Sequence, residues 1–356
     1  MLQTLLNGGG SLPVAIGIFA VTAFVVWRAG TRLAGYADRL AKATGLSGAL
    51  IGLLVLGGVT SLPEITTSAT AAAGGAGALA ANNLIGGVAL QLMALAIADA
   101  VVGREALTSI VPRPDVLAYA AMNVALLTLM AGLISAGDVE IAGSGLGVGA
   151  VLVAGAYVVC LLSARTIGRR ATWRPVDARP GRDADAPPPP EQAADEGESR
   201  LRLALLIAGS GALITVGGFL LARSGELIAE RSGLGQSFFG AVFLGGATSL
   251  PEFSSAIAAV RLGRPQMAVG DVLGGNLFNL SLILLVDAVY GPPVLAELGA
   301  FSVVAACLGA LLCAILIVGI VERRDRSIWR LGYDSAAMIA VYAAGLVLLY
   351  SLRGGG

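Results

Sequence analysis

Histidine is absent from this 356-residue chain. That removes the usual zinc-binding imidazole and the side chain that most readily relays protons near neutral pH. Cysteine is scarce: Cys160, Cys307 and Cys313 all lie in apolar stretches, with no CxxC spacing. They read as small packing residues rather than thiolate ligands or a disulfide framework. Charge is scarce too, at 13% of residues, against about 25% in a soluble domain. The 23 basic and 23 acidic residues cancel, so no basic excess points to nucleic acid. What is abundant is apolar: 56% hydrophobic residues and a mean hydropathy of +0.83. The composition is that of an all-α integral membrane protein, with the lipid bilayer as its surroundings. Positions 1–10 lack a basic leader, so the first apolar stretch reads as a retained helix rather than a cleaved signal peptide.

A membrane-spanning helix needs about 20 apolar residues. Candidate spans fall at 12–27, 46–73, 78–102, 116–135 and 145–164. A second set falls at 201–222, 234–260, 267–290, 298–321 and 335–352. Between the sets, 166–200 carries Arg169, Arg170, Arg174, Arg179 and Arg182, the run Pro187 to Pro190 and then acidic residues, without apolar periodicity. It reads as a disordered cytoplasmic linker. The chain thus divides into a first five-helix unit (1–165), the linker and a second five-helix unit (201–356). Lysine and arginine concentrate on alternate loops: Arg28 to Lys42, Arg104 and Arg113, the linker, Arg261 and Arg264, and Arg323 to Arg330. By the positive-inside rule these face the cytoplasm and the N-terminus lies outside, as for a bacterial-type plasma membrane protein.

The two units share a motif. Gly57-Gly58-Val59-Thr60-Ser61-Leu62-Pro63-Glu64 recurs 188 positions later as Gly245-Gly246-Ala247-Thr248-Ser249-Leu250-Pro251-Glu252. The same offset aligns 45–102 with 233–290 and matches Gly86-Gly87 with Gly274-Gly275, Gln91 with Asn279 and Asp99 with Asp287. An odd number of helices per unit makes the second enter the membrane upside down, giving two inverted five-helix repeats and ten transmembrane helices. Such repeats hold substrate and coupling ions near the midplane, at interrupted helices. Pro63 and Pro251 remove a helical donor, so carbonyls one turn back lose their partners, which at membrane depth is tolerated where they line a cavity. Beside them stand the hydroxyls of Thr60, Ser61, Thr248 and Ser249 and the carboxylates of Glu64 and Glu252. A charge at that depth is costly by several kcal/mol and reads as functional. Gln91, Asn276 and Asn279 add amide oxygens. An all-oxygen shell with two negative charges suits Ca²⁺ or Na⁺; transition metals would draw on thiolate or imidazole. Asp99 and Asp287 sit near span ends, where solvated or capping roles are expected. Asp271, opposite Asn83, reads as tuning an entry path or hydrogen-bonding nearby.

At these stretches the chain resembles the sodium/calcium exchanger branch of the cation/calcium antiporter superfamily. Gly58 to Glu64 and Gly246 to Glu252 are similar to its alpha-repeat signature, and Gly270-Asp271-Val272-Leu273-Gly274-Gly275-Asn276-Leu277-Phe278-Asn279 to its second signature. The resemblance implies that Glu64 and Glu252 bridge the central ions, Thr60 and Thr248 offer carbonyls, and Gln91 and Asn279 hold the flanking polar positions. It implies Ca²⁺ exchanged for Na⁺ by alternating access, a bundle of the first and sixth helices sliding over a fixed core, with no cofactor beyond the transported inorganic cations. Departures bear on the coupling ion. Gly87 and Gly275 stand where the family has Na⁺-ligating serines, and neutral Asn279 replaces an acid found in some members, leaving an expected charge of at most −2. Protons carried on Glu64 and Glu252 are the alternative, making a Ca²⁺ or other divalent cation/H⁺ antiporter. A transport-inactive scaffold and an intramembrane enzyme are the remaining readings.

Overall fold

The computed structural model describes residues 12–102, 105–111, 113–167, 199–232, 245–323, 327–328 and 331–352, and nearly all of them are helical. The first half holds α1 (Leu12–Thr44), α2 (Gly48–Thr60), α3 (Leu62–Ala73), α4 (Gly77–Val102), α5 (Pro114–Ala136) and α6 (Val148–Ile167). The second holds α7 (Arg200–Ser232), α8 (Gly245–Thr248), α9 (Leu250–Arg261), α10 (Pro265–Tyr290), α11 (Ala300–Glu322) and α12 (Tyr333–Leu352).

The 188-residue offset extends well beyond the motif. It relates α1 to α7 (200 − 12), α3 to α9 (250 − 62) and α4 to α10 (265 − 77) end to end. The last two pairs keep their lengths, 23 residues for α5 and α11 and 20 for α6 and α12. Repeat mates also pack on each other: α1 lies along α7, α5 along α11 and α4 against α10. The pseudo-twofold axis therefore runs through the middle of the molecule.

Seven described helices are long and apolar enough to span a bilayer, and α2 with α3 makes an eighth span bent by 41°. The shorter apolar stretch Val148–Ala164 in α6 accounts for the span expected at 145–164. The span expected at 234–260 is described only from Gly245 onward, and most of the 166–200 linker lies outside the described residues.

One expectation about an element needs correction. The first span was expected to end at Trp27, but α1 runs on to Thr44. Arg28, Arg32, Arg39 and Lys42 end the apolar stretch, not the helix, which stops where Gly45 takes φ +69°, a conformation glycine adopts without steric cost. A small antiparallel ribbon, the pairing of Ser327–Ile328 with Leu331–Gly332, precedes α12 in this otherwise helical fold.

The core is centred on α10, where every residue from Gln266 to Leu277 is buried. Large apolar side chains on the outer helices remain exposed, among them Phe24 (67%) on α1, Val321 (65%) on α11 and Val347 (72%) on α12. A lipid-facing belt of this kind is how a membrane protein inverts the usual surface. Alpha2 meets α10 almost backbone to backbone. A β-carbon added at Gly57 would lie 2.5 Å from Gly275 N, and one at Gly274 would lie 2.5 Å from Leu53 O. Glycine is needed at both positions, as in other close helix pairs in membranes.

Asp99 and Asp287 were expected in solvated or helix-capping roles, and they accept from N–H groups at the starts of other helices. Both are buried, and each bonds across the repeat boundary. Asp99 accepts from Leu107 N (2.5 Å) and from Gly332 N (2.6 Å), at the foot of α12. Asp287 accepts from Val294 N (2.8 Å) and from Gly147 N (2.8 Å), at the foot of α6. Each half thus fastens the last helix of the other.

Candidate ion-binding site

The helix break predicted from the prolines is present in both repeats with the same geometry. Alpha2 ends at Ser61 (φ −81°, ψ 4°) and α8 at Ser249 (φ −82°, ψ 1°), with Pro63 and Pro251 in the first turn of the helix that follows. A proline there forfeits a donor that the first turn of a helix does not use, while denying one to the preceding helix. The chain therefore bends where Thr60, Ser61 and Glu64, and their mates Thr248, Ser249 and Glu252, enter the protein interior. A π-helical stretch, Gly52–Leu56, loosens α2 just before the break, as such bulges often do at functional sites.

All nine sequence-predicted site residues are buried: Thr60, Ser61, Gln91, Glu252, Asn276 and Asn279 at 0–1% exposure, Thr248 and Ser249 at 1–2%, and Glu64 at 4%. The structure joins several of them directly. Asn279 Nδ2 donates to Gln91 Oε1 (3.5 Å), and Gln91 Nε2 donates to Glu252 Oε1 (3.4 Å). Gln91 and Asn279 are repeat mates, and under twofold symmetry only residues beside the axis touch their own counterparts. The amide pair therefore marks the axis. Glu252 stands beside it and is close enough to Glu64 to interact with its charge. Thr60 Oγ1 donates to Leu56 O, one turn back in its own helix (2.9 Å). Thr248 and Ser249 occupy the equivalent break in the second repeat.

Oxygen atoms dominate this constellation, and many of them have no protein partner. Ser61 Oγ, Glu64 Oε2, Glu252 Oε2, Asn276 Oδ1 and Asn279 Oδ1 are buried without a hydrogen bond. Buried polar groups are normally satisfied, so a group of orphaned acceptors calls for an explanation. The ion pairs of Asp38 with Lys42 and Arg264, and of Arg113 with Asp115, lie elsewhere, and among the described residues none joins Glu64 or Glu252 to a basic side chain. No three His, Cys, Asp or Glu side chains converge as a metal cluster among the described residues. A bound cation would therefore draw on hydroxyl, amide and carbonyl oxygens as well as the two carboxylates, the donor set suited to Ca²⁺ or Na⁺.

Gly275 borders the same space. A β-carbon there would lie 3.4 Å from Ser61 Oγ, 3.7 Å from Gly57 O and 3.8 Å from Gln91 Oε1. The position thus faces the site without supplying an oxygen to it.

Asp271, expected to tune an entry path or to hydrogen-bond nearby, does hydrogen-bond nearby. Asp271 is fully buried and accepts from Thr60 Oγ1 (3.3 Å) and from Ser255 Oγ, one turn beyond Glu252. A third carboxylate thus stands one hydroxyl away from the surroundings of the two glutamates. Its repeat mate is neutral Asn83, so matching the halves could not choose between those two roles. The tight Gly270-Asp271 pair of the second signature was the available clue. By contrast, Asn82 and Asn123 stitch helices together: Ser302 Oγ donates to Asn82 Oδ1 (2.5 Å), and Asn123 Nδ2 donates to Leu273 O (3.0 Å).

Comparison with known proteins agrees with this architecture. The family model described as sodium/calcium exchanger protein matches residues 14–165 and 202–351, one match per repeat. CaxA of Alkalimonas amylolytica, named as an antiporter, is 27% identical over 88% of this chain and 93% of its own length. The sodium/calcium exchanger MaX1 of Methanosarcina acetivorans is 28% identical over 40% of this chain and 39% of its own. Among solved structures, the sodium-calcium exchanger NCX_Mj soaked with Na⁺ and Sr²⁺ superposes with a TM-score of 0.69, at 17% identity, covering 95% of this chain and 99% of that one. This is a likeness of fold. An enzymatic role has no place in such a family. With both repeats matched, the chain belongs to the sodium/calcium exchanger family of integral membrane cation antiporters.

Proposed function

We propose that the protein exchanges Ca²⁺ for Na⁺ across the membrane, with Glu64 and Glu252 bridging the divalent ion beside the pseudo-twofold axis. Thr60, Ser61, Thr248, Ser249, Gln91, Asn276 and Asn279 complete the oxygen shell. The observation that carries this reading is the set of buried, unpartnered oxygens on Ser61, Glu64, Glu252, Asn276 and Asn279. Two carboxylates balance one Ca²⁺, and inverted repeats that share one site let it open to either side in turn. In this reading the N-terminus lies outside, the 166–200 linker is cytoplasmic, and 1–165 and 201–356 are the two repeat units.

A second reading, Ca²⁺ or another divalent cation against H⁺, rests on Gly275. A glycine beside Ser61 and Gln91 gives Na⁺ no hydroxyl where a serine would. Radiolabelled Ca²⁺ uptake into proteoliposomes separates the two. Uptake driven by an outward Na⁺ gradient supports Na⁺ coupling, and uptake driven by an outward H⁺ gradient alone transfers the role to protons. Absence of flux under either gradient would make the chain a transport-inactive member of its family.

A further inference from the structure

We infer that the ion pair between Asp38 and Arg264 is a one-sided latch, which holds one membrane face closed and sets how the antiporter divides its time between its two access states. The inference goes beyond the exchange reading above and rests on it for the identity of the cargo. Arg264 Nε donates to Asp38 Oδ1 (2.7 Å), tying α1 of the first repeat to the turn between α9 and α10 of the second. Both side chains are largely withdrawn from water, at 12% exposure for Asp38 and 20% for Arg264, so the pair is screened less than a surface ion pair. The turn is a firm anchor. Gly263 takes φ +72°, Arg264 N donates to Ala259 O (2.9 Å), and Arg264 O accepts from Met267 N (3.0 Å). Beyond it, α10 enters the core and carries Asn276 and Asn279.

In transporters built from inverted repeats, the two access states exchange the conformations of the two halves. A contact that the repeat duplicates is available in both states and favours neither. A contact made by one repeat alone stabilises one state only. The middle of α1 makes contacts of the first kind. A β-carbon at Gly30 would meet the Ser254 side chain and Pro251 O (3.0 Å), and one at Gly218, its mate on α7, would meet Pro63 Cβ (2.5 Å). Each long helix thus crosses the broken helix of the other repeat at a glycine. Two turns farther along α1 the symmetry fails. The residues 188 positions from Asp38 and Arg264 are Glu226 (38 + 188) and Ala76 (264 − 188), and an alanine cannot pair with a carboxylate. Lys42, which also bonds Asp38 (2.9 Å), has Glu230 as its mate. The latch therefore belongs to one face only, that of Arg261 and Arg264, cytoplasmic in the proposed orientation. Opening that face parts α1 from the second repeat and breaks the bond, whereas opening the other face leaves it intact.

Exchange of unlabelled for radiolabelled Ca²⁺ needs no coupling ion and reads both faces of the full-length protein, in right-side-out and inside-out membrane vesicles. The measured quantity is the ratio of the half-maximal Ca²⁺ concentrations, cytoplasmic over external. Freeing the latch raises the population open to the cytoplasm, so Arg264→Gln and Asp38→Asn should each lower the ratio by about three- to tenfold. The double variant should go no lower than the singles, because the two side chains act as one bond. Lys42 lies on the same helix as Asp38 and moves with it, so Lys42→Gln should leave the ratio within about twofold of wild type. A merely structural role would shift both faces equally and leave the ratio alone. Arg264 is the more exposed partner, and Arg264→Gln carries the test if Asp38→Asn does not fold. An unchanged ratio in Arg264→Gln, or an equally large change in Lys42→Gln, with wild-type exchange intact, overturns the latch alone. A wild-type protein with no Ca²⁺ exchange at either face overturns the Ca²⁺ reading and the latch with it.

Discussion

Replacing Glu252 with glutamine removes one charge from a site that has few other ways to hold a divalent ion. Glu252 is fully buried, accepts a long hydrogen bond of 3.4 Å from Gln91, and leaves Oε2 without a partner. Ca²⁺ held about 3 Å from the centre of the carboxylate charge is attracted by about 11 kcal/mol at an effective dielectric of about 20. Most of that is offset by stripping water from both ions. Removing one partner of a buried charge pair costs about 3–5 kcal/mol in practice, or about two to three and a half decades of affinity. Glutamine preserves the volume, so little is lost to packing. The ion-free protein should even gain stability, because an unpaired buried charge has been removed. Thermal unfolding of the detergent-solubilised protein reads both effects. In the wild type, Ca²⁺ at 100 times its dissociation constant stabilises the fold by about 2.7 kcal/mol. With affinity weakened about a thousandfold, the same Ca²⁺ adds about 0.06 kcal/mol. Glu252→Gln should therefore show a raised Tm without Ca²⁺ and almost no further rise with it. A variant with wild-type Ca²⁺ stabilisation would refute the assignment of Glu252 to the ion.

Other perturbations follow from the same geometry. Gly57→Ala drives a methyl into Gly275 N across the α2–α10 contact; overpacking of this kind costs about 1–3 kcal/mol or more, which should appear as a lowered Tm and loss of Ca²⁺ uptake. Gly275→Ser has room for its β-carbon and adds a hydroxyl beside Ser61 and Gln91, so the Na⁺ concentration for half-maximal Ca²⁺ exchange should fall several-fold; a rise would mean the hydroxyl obstructs the site. Asp99→Ala removes the acceptor for Leu107 N and Gly332 N. Charged hydrogen bonds contribute about 1.5–3 kcal/mol each, so the Tm should drop while Ca²⁺ affinity, measured by equilibrium binding, stays put.

The central residues were legible in the sequence because they obey the repeat. Glu64 and Glu252, and Gln91 and Asn279, stand 188 positions apart and come together beside the axis. The helix breaks were legible because Pro63 and Pro251 act locally, through a missing donor. What escaped was whatever the repeat does not duplicate or the chain does not show locally. Asp271 has a neutral mate, Asn83, so comparing the halves named it but could not choose between an entry path and a nearby hydrogen bond. The bonds of Asp99 and Asp287 run to Gly332 and Gly147, and nothing along the chain says that those turns fold beside α4 and α10. The length of α1 was misjudged because hydropathy reports where lipid ends, whereas a helix continues until the backbone is turned at Gly45. Ser255 carries no signal along the chain; only the packing of α10 brings Asp271 against it.

The claim that one divalent ion is shared by the two repeats is tested most directly by anomalous diffraction from crystals soaked in Sr²⁺ as a Ca²⁺ surrogate. The account predicts a single strong peak near the axis, within about 2.3–2.6 Å of carboxylate oxygens from both Glu64 and Glu252. A peak that contacts neither glutamate, or only one of them with the other turned away, would contradict it.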